Sequence, residues 1–170
     1  MGEPIIQGFA PIANRNASIL ILGSMPGNAS LAAGRYYAHP QNAFWRIMAA
    51  LLRIDAGSPY RARTQVLKSA GIALWDVLQS CTREGSLDAM IDPDAEIAND
   101  FAGFFRTHRQ VTRVFFNGAK AEACFKRHVL PVMGSAPLSY ARLPSTSPAH
   151  ASMPFERKLA AWQIVMAPDY

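Results

Sequence analysis

The sequence predicts an α/β fold, a three-layer α/β/α sandwich around a short, mainly parallel sheet of four strands. Four short apolar runs are separated by longer segments in which apolar residues recur with the helical period. This alternation is typical of βαβ units. The predicted strands are residues 18–22, 72–77, 113–116 and 138–143. The predicted helices are residues 44–52, 96–108, 118–129 and 155–166.

The strands are predicted from runs that do not alternate between apolar and polar residues. The first contains I-L-I-L at residues 19–22, and the third contains V-F-F at 114–116. Continuous apolar runs of this length are typical of strands that are buried on both faces of a parallel sheet. The second and fourth runs are less uniform but lie at the corresponding places between helices.

The helices are predicted from apolar stripes. Phe44, Ile47, Met48 and Leu51 recur at i, i+3, i+4 and i+7, which places them on one face. Segments 96–108 and 155–166 repeat this period, and segment 118–129 directly follows a strand. Each helix therefore has one face that can pack against the sheet.

The chain of 170 residues is predicted to form a single domain, 1–170, with no linker, repeat or low-complexity tract. Half of its residues are hydrophobic, and this composition argues against disorder. No apolar run reaches the roughly 18 residues of a membrane span. No basic-then-apolar leader begins the sequence, so we expect a cytoplasmic protein.

The charge and the cysteines restrict the classes of partner and scaffold. A net charge of +5 suits a polyanionic partner, although the arginines are scattered rather than clustered. Cys81 and Cys124 are the only cysteines. Two thiols alone cannot form a four-ligand zinc site, and we expect them to be reduced and partly buried.

The chemically interesting segments follow the predicted strands. They are residues 23–40, 76–86, 117–118 and 144–152. Because ligands of open parallel sheets bind beyond the carboxyl ends of the strands, we expect these loops to converge on one functional edge.

Sequence motifs exclude several enzyme classes. The loop after the first strand has neither G-x-G-x-x-G nor G-x-x-x-x-G-K-[ST], so no nucleotide cofactor is expected. No G-x-S-x-G elbow is present, which argues against a Ser–His–Asp hydrolase. The histidines, at positions 39, 108, 128 and 150, lack the spacing of metal ligands. We therefore expect no cofactor and no metal.

Taken alone, the loop after the first strand supports two interpretations. The 23–27 turn could present its amides to a ligand or simply end a strand. Tyr36 and Tyr37 could pack in the core or form a shelf for a planar ligand. His39 is more typical of a satisfied loop histidine, and Asn42 could cap the helix that follows.

Three motifs resemble those of the uracil-DNA glycosylase superfamily. G-S-M-P-G at 23–27, with Y-A-H-P-Q-N-A-F-W at 37–45, resembles the first motif of the mismatch-specific uracil/thymine branch. V-F-F-N-G at 114–118 resembles its third-strand segment, and L-P-S-T-S-P-A at 143–149 resembles its DNA-wedge motif. The three occur in the family's order. The resemblance implies the superfamily's fold and DNA glycosylase activity.

One departure indicates a particular branch. Met25 stands at the turn position where most of the superfamily has a catalytic Asp or Asn, and a thioether cannot orient water as those groups can. With W-D-V-L at 75–78 and G-S-L-D at 85–88, the chain is more similar to the hypoxanthine-DNA (deoxyinosine) glycosylase branch. In that branch the asparagine that matches Asn42 is taken as catalytic. The lack of clustered cysteines separates the chain from the iron–sulfur branches.

The resemblance assigns roles to individual residues, with Asn42 as the predicted catalytic residue. The base pocket is predicted to contain Gly23, Ser24, Met25, Pro26, Tyr37, His39, Asp76 and Asn117. The DNA contacts and the wedge are predicted to involve Arg83, Ser145, Ser147, Pro148, Ala149 and His150. Tyr37 matches the aromatic residue that stacks on the flipped base. The main-chain N–H groups of Ser24 and Tyr37 are expected to donate hydrogen bonds to the oxygen of that base.

The resemblance implies a monofunctional enzyme that excises a deaminated base, hypoxanthine first, with uracil and xanthine as further candidates. The expected partner is DNA, double-stranded with a damaged or mismatched base, and the expected state is a monomer with no membrane association. Because the first-motif loop has no lysine, no Schiff-base lyase activity is expected. Two alternatives stay open: excision of uracil or thymine from mismatches, and a non-catalytic domain that binds DNA or a nucleobase.

Overall fold

A parallel sheet of four strands lies at the centre of the computed structural model, which describes residues 2–134 and 136–168. The strands of the molecule are β1 (Ile5–Gln7), β2 (Ile19–Gly23), β3 (Ile72–Asp76), β4 (Leu78–Thr82), β5 (Ile97–Ala98), β6 (Arg113–Asn117) and β7 (Ser139–Leu143). The α-helices are α1 (Asn28–Ala33), α2 (Phe44–Leu52), α3 (Tyr60–Ser69), α4 (Phe101–Thr107), α5 (Ala119–His128), α6 (Leu130–Met133) and α7 (Phe155–Trp162). Short 3₁₀ turns cover Asp88–Met90, Pro93–Ala95 and Gln163–Met166.

The central sheet has the order β3-β2-β6-β7, and every pair in it is parallel. All residues of β2 and β3 are buried, as their apolar runs predict. One core packs α4 and α5 against one face of the sheet, and a second core packs α2 and α7 against the other. The predicted α/β/α sandwich is therefore confirmed.

A second, antiparallel sheet of order β1-β4-β5 is not predicted by the sequence. The predicted strand 72–77 ends at Asp76, and the chain then enters β4 after Val77 and Leu78 donate hydrogen bonds to the carbonyls of Gly23 and Ser24. Because the chain here leaves the parallel sheet and enters the antiparallel one, the loop after β4 passes the carboxyl end of β2.

The prediction of a helix over 96–108 is wrong in its first turn. Ile97 and Ala98 pair with β4, and helix α4 begins only at Phe101, where the Asp100 side chain accepts a hydrogen bond from the Gly103 N–H. Helices α1, α3 and α6 are not predicted. Helix α3 has a single buried residue, Leu67, and therefore a weak apolar period.

Among the described residues, no helix is both long and apolar enough to cross a membrane. Cys81 and Cys124 are buried and unbridged, as expected.

Candidate active site

Three polar or glycine positions lie side by side where the parallel strands end. Gly23 ends β2, Asp76 ends β3 and Asn117 ends β6, and these three strands are neighbours in the sheet. Gly23 and Asp76 are direct partners in the parallel register. The structure thus brings these predicted pocket residues together at the carboxyl edge.

Gly23 has no room for a side chain. A Cβ at this position would lie 2.5 Å from Asp76 Oδ1 and 2.9 Å from Tyr37 Oη. Since any larger residue would displace one of these two groups, Gly23 is required for the carboxyl and the phenol to meet. Asp76, Gly23 and Tyr37 form a compact group that we call the strand-end cluster.

Asp76 is almost fully buried, with 4% of its surface exposed. Its Oδ2 has no hydrogen-bond partner within the described part of the chain. Burial, followed by the charge of Asp88, raises the pKa of Asp76 to about 7, although Arg83 acts in the opposite direction. The carboxyl can therefore be protonated or ionised near neutral pH.

Tyr37 enters the strand-end cluster from an unusual backbone conformation. Its φ is +55°, which is uncommon for a residue other than glycine and costs of order 1–3 kcal/mol. Its ring stacks on Phe44 with centroids 4.1 Å apart. Its hydroxyl is buried without a partner of ordinary geometry, although the Asn117 side chain lies near it. Burial and then the Asp76 charge raise the pKa of Tyr37, so its hydroxyl stays protonated.

Asn42 combines a local structural contact with a free amide. Its Oδ1 accepts a hydrogen bond from the Phe44 N–H at 3.0 Å, at the start of α2. Its Nδ2 donates no hydrogen bond to any residue in 2–134 or 136–168. Asn42 therefore helps to begin the helix, as its position predicts, and still has donor and acceptor capacity left.

Tyr37, His39 and Asn42 line one cavity of about 300 Å³. His39 is exposed there, and its Nδ1 accepts a hydrogen bond from the Gln41 N–H at 3.1 Å. The main-chain N–H groups of Ser24 and Tyr37, which are expected to meet the base oxygen, donate no hydrogen bond within the described residues.

The turn after Gly23 is braced from the loop that follows β4. Ser24 Oγ donates to Asp88 Oδ1 at 2.6 Å. The carbonyl of Pro26 accepts from Arg83 Nη2 at 2.7 Å, and Arg83 Nε donates to the Gly85 carbonyl at 2.8 Å. The turn is thereby held in a fixed position beside the strand-end cluster.

Two predicted site residues have a different place in the structure. Arg83 is 4% exposed, so the expectation that it forms a surface contact with DNA phosphate is not met; it braces the Pro26 turn instead. The Met25 side chain is 7% exposed, packs in the core that includes Leu78, and is not among the residues that line the 300 Å³ cavity. In both cases the side-chain direction depends on turn geometry that the motif does not encode.

The predicted wedge segment has firmly held ends. Asn117 binds Thr146 twice, from Nδ2 to Oγ1 and from the Thr146 N–H to Oδ1, each at 2.9 Å. The Thr146 carbonyl accepts from the Ala43 N–H, and the Pro144 carbonyl accepts from Trp162 Nε1. The segment is therefore joined to β6, to α2 and to α7.

The same segment presents its middle at the surface. Ser145 and Ser147 are half-buried and accept hydrogen bonds from the N–H groups of Ser147 and Ala149. Ala149 is exposed, whereas Pro148 and His150 are half-buried. Gly118, at a φ of +92°, allows the close approach of Ser145, since a Cβ there would lie 3.0 Å from Ser145 Cβ.

Sequence reasoning missed Thr146 and Asp88, which position Asn117 and Ser24. Both lie inside segments that match family motifs, and this was the available signal. Pairings between loops from different strands cannot be inferred from spacing. Among the residues that the structure describes, no group of three or more His, Cys, Asp or Glu side chains could hold a metal ion.

Comparisons with known proteins agree with this geometry. The model of the Uracil DNA glycosylase superfamily matches residues 10–165. A hypoxanthine DNA glycosylase of Methanosarcina barkeri is 41% identical over 116 residues, 68% of this chain and 72% of that protein. A protein of the same name from Methanosarcina acetivorans is 38% identical over 118 residues, 69% of this chain and 73% of that protein.

A solved structure gives the same result for the fold. The solution NMR structure of a candidate uracil DNA glycosylase from Methanosarcina acetivorans is 30% identical in sequence and has a TM-score of 0.77. The match covers 96% of this chain and all of that one.

Proposed function

Because this chain belongs to the uracil-DNA glycosylase superfamily, we propose that it is a monofunctional DNA glycosylase that excises hypoxanthine from DNA. The name shared by the two Methanosarcina relatives supports hypoxanthine as the first substrate to test. We further propose that it acts as a cytoplasmic monomer on double-stranded DNA and starts base excision repair there.

The observation that carries this proposal is the pair of buried polar atoms without partners in the strand-end cluster. Tyr37 Oη and Asp76 Oδ2 are both buried, and neither has a hydrogen-bond partner among residues 2–134 and 136–168. An unsatisfied buried polar group costs about 1–3 kcal/mol, and such a group in a folded protein calls for a functional explanation. A ligand that supplies one acceptor and one donor would satisfy both atoms.

Deaminated bases carry that pattern. In hypoxanthine a ring N–H lies next to a carbonyl oxygen, and uracil has the same arrangement. The Tyr37 hydroxyl would donate to the carbonyl, and the Asp76 carboxylate would accept from the N–H. Adenine and cytosine present the reverse pattern, an amino group beside an unprotonated ring nitrogen, and would place that nitrogen against the ionised Asp76 carboxylate with no proton between them. The cluster thus favours hypoxanthine over adenine and uracil over cytosine, whereas guanine and thymine have the same edge as hypoxanthine and uracil and must be excluded by other contacts.

Bond cleavage would use the residues around the cluster. The glycosidic bond is unreachable in the stack, so the nucleotide must first be extruded. One face of the Tyr37 ring is taken by Phe44, and this stacking fixes the direction of the hydroxyl that would donate to the base. The N–H groups of Ser24 and Tyr37 would stabilise negative charge on the departing base.

Asn42 would act on the water rather than on a proton. An amide does not titrate usefully, so its role is to orient the attacking water and to polarise the sugar through its carbonyl. The wedge segment, with Pro148, Ala149 and His150 at its middle, would fill the place of the extruded base. The firm attachment of its ends suits insertion into a duplex.

Excision from a panel of duplexes tests the proposal. Single-turnover release of hypoxanthine, uracil, xanthine and thymine, each in a defined pair, should be fastest for hypoxanthine and absent for adenine. Strand cleavage should need alkali, because no Schiff base forms. Tight binding without release of any base would favour a non-catalytic domain, and faster release of uracil or thymine from mismatches would favour the mismatch-specific reaction.

A further inference from the structure

Three arginines line the cavity that Tyr37, His39 and Asn42 share. They are Arg35, Arg46 and Arg63. No Asp or Glu is among the residues that line this cavity, and none of the three guanidinium groups forms an ion pair with a described residue. We call this space the arginine cavity. Its charge is concentrated, and no acidic group of the described residues compensates it.

Aromatic rings hold these guanidinium groups in place. Arg63 lies 4.9 Å above the Trp45 ring, Arg35 lies 5.4 Å above the Tyr60 ring, and Arg46 lies 4.1 Å above the Phe155 ring. Because stacking restricts a flexible side chain before any ligand arrives, less entropy is lost when an anion binds.

The environment of Arg63 is unfavourable for a cation without a partner. Its Nε is buried, and no residue in the described part of the chain forms a hydrogen bond with it. Burial lowers the pKa of Arg63, Tyr60 acts in the opposite direction, and the nearby positive charge of Arg35 lowers this pKa further. An anion in the cavity would accept hydrogen bonds from the guanidinium groups and relieve the repulsion between them.

Two helix N-termini add to the positive potential. Helix α2 contributes Trp45 and Arg46 to the cavity, and α3 contributes Tyr60 and Arg63. Neither helix has an acidic residue in its first turn, and the Asn42 amide, which accepts from the Phe44 N–H at the start of α2, carries no charge. The first turn of a helix favours negative charge, so arginines at these positions act against the helix dipole unless an anion is bound.

We infer that the arginine cavity is a phosphate-binding site, and that it receives a backbone phosphate of the strand from which the nucleotide is extruded. This inference rests on the proposed function. The source of the phosphate is indicated by the shared wall: Tyr37 and Asn42 line the cavity and also belong to the candidate active site. A phosphate held there would fix the sugar–phosphate backbone relative to the water that Asn42 orients.

The test compares two pairs of arginines. The variant Arg35→Gln/Arg63→Gln removes two charges from the cavity. The control Arg106→Gln/Arg109→Gln removes two charges from a different cavity, of about 270 Å³, beside Arg15 and before the start of β6. Both variants have the same net charge. Binding to undamaged and hypoxanthine-containing duplexes is measured by fluorescence anisotropy between about 50 and 200 mM salt.

The cavity variant should bind both duplexes more weakly, and the slope of log K against log salt should fall by about 1 for the lost phosphate contact. The control should keep the wild-type slope. Equal losses in the two variants would mean that only net charge matters and would overturn the inference. If Arg63→Gln unfolds the protein, as loss of its stacking on Trp45 could cause, the exposed Arg35→Glu alone should still reduce the slope.

Inorganic phosphate distinguishes the source of the ligand. At matched ionic strength, replacing chloride by phosphate should weaken duplex binding to the wild type more than to the cavity variant. If phosphate raises the wild-type melting temperature while both proteins bind DNA equally, the cavity holds free phosphate and the assignment to DNA is wrong. These measurements need no excision, so an inactive wild type would refute the proposed reaction without affecting this comparison.

Discussion

Asp76 and Glu96 are both buried carboxyl groups, yet their surroundings have opposite effects on them. Asp76 lies in the strand-end cluster with Oδ2 unpaired, and burial raises its pKa to about 7. Glu96 is hydrogen-bonded by Lys120 and by His128 Nε2. Burial alone would raise the pKa of Glu96, but the two hydrogen bonds outweigh it and hold this pKa below its ordinary value.

Both residues are shielded from solvent, with 4% of Asp76 and 9% of Glu96 exposed, but within the described residues only the Glu96 carboxylate has hydrogen-bond partners. Lys120 and His128 lie on α5, so Glu96 joins the start of β5 to a helix that packs on the sheet. A paired carboxylate of this kind stabilises the fold. Asp76 lacks such a partner, and its burial opposes folding whenever it is ionised. An acid that is left unpaired at the end of β3, beside the ends of β2 and β6, has hydrogen-bonding capacity that the described residues do not use, and this is the basis for placing the active site there.

The largest expected effect is at Asn42, on the active-site side of the comparison. Asn42→Ala should fold and bind hypoxanthine DNA but excise the base about 10²–10³-fold more slowly, as is common when one transition-state contact is lost. Stability should fall by about 0.5–2 kcal/mol, because the Phe44 N–H loses its acceptor. Single-turnover rates and melting temperatures measure the two effects separately.

Asn42→Ser provides the matched control, since a serine oxygen can still accept from the Phe44 N–H. It should recover the melting temperature but not the rate. Recovery of both would mean that Asn42 acts only at the start of the helix, and the catalytic group would then have to be sought at Asp76 or His150.

Asp76→Asn tests the raised pKa. The pKa of Asp76 is higher in the folded state than in the unfolded state. The resulting contribution of Asp76 to the free energy of unfolding is fully present below about pH 4 and is lost as the pH rises through 7. The variant does not titrate there. The difference in unfolding free energy should therefore move in favour of Asp76→Asn by about 2–3 kcal/mol between about pH 5 and pH 8. Urea unfolding at each pH measures it, and a pH-independent difference would show that Asp76 is not perturbed.

Glu96→Gln tests the paired carboxylate of the comparison. Loss of the charge-assisted hydrogen bonds should destabilise the protein by about 1.5–3 kcal/mol at neutral pH. Since the pKa of Glu96 is lowered by folding, this contribution is present above its unfolded value and is lost as the pH falls through the folded one. Excision per folded molecule should equal that of the wild type. A slower single-turnover rate in a folded variant would remove the distinction between the two carboxyl sites.

The central sheet is the part of the fold that the sequence predicts well. Continuous apolar runs arise because β2 and β6 are buried on both faces, and this pattern has few other causes. The second sheet is not predictable in this way, because β1 and β5 are short and partly exposed. Ile97 fits the period of the following helix, but its pairing with β4 decides its conformation.

The candidate site also has a part that the sequence predicts and a part that it does not. Gly23, Asp76 and Asn117 are predicted correctly to lie together, because strand order and strand ends determine their positions. The directions of Met25 and Arg83 depend on backbone angles within a turn and on a loop 57 residues away, so no local pattern reveals them. The arginine cavity is missed for the same reason, since its residues come from three separate segments.

The smallest expected effect is at Met25, which lies two residues after Gly23 but packs in the core. It is 7% exposed and packs in the hydrophobic core that contains Leu78 and Trp75. Met25→Leu conserves volume, so it should change stability by less than about 1.5 kcal/mol and leave the single-turnover rate unaltered. Met25→Ala should cost about 2–5 kcal/mol of stability, with the same rate per folded molecule. Melting curves beside rates at a temperature where both variants are folded separate the two properties. If Met25→Leu melts like the wild type but no longer excises the base, the thioether reaches the reacting groups. Met25 would then belong to the active site and not only to the core.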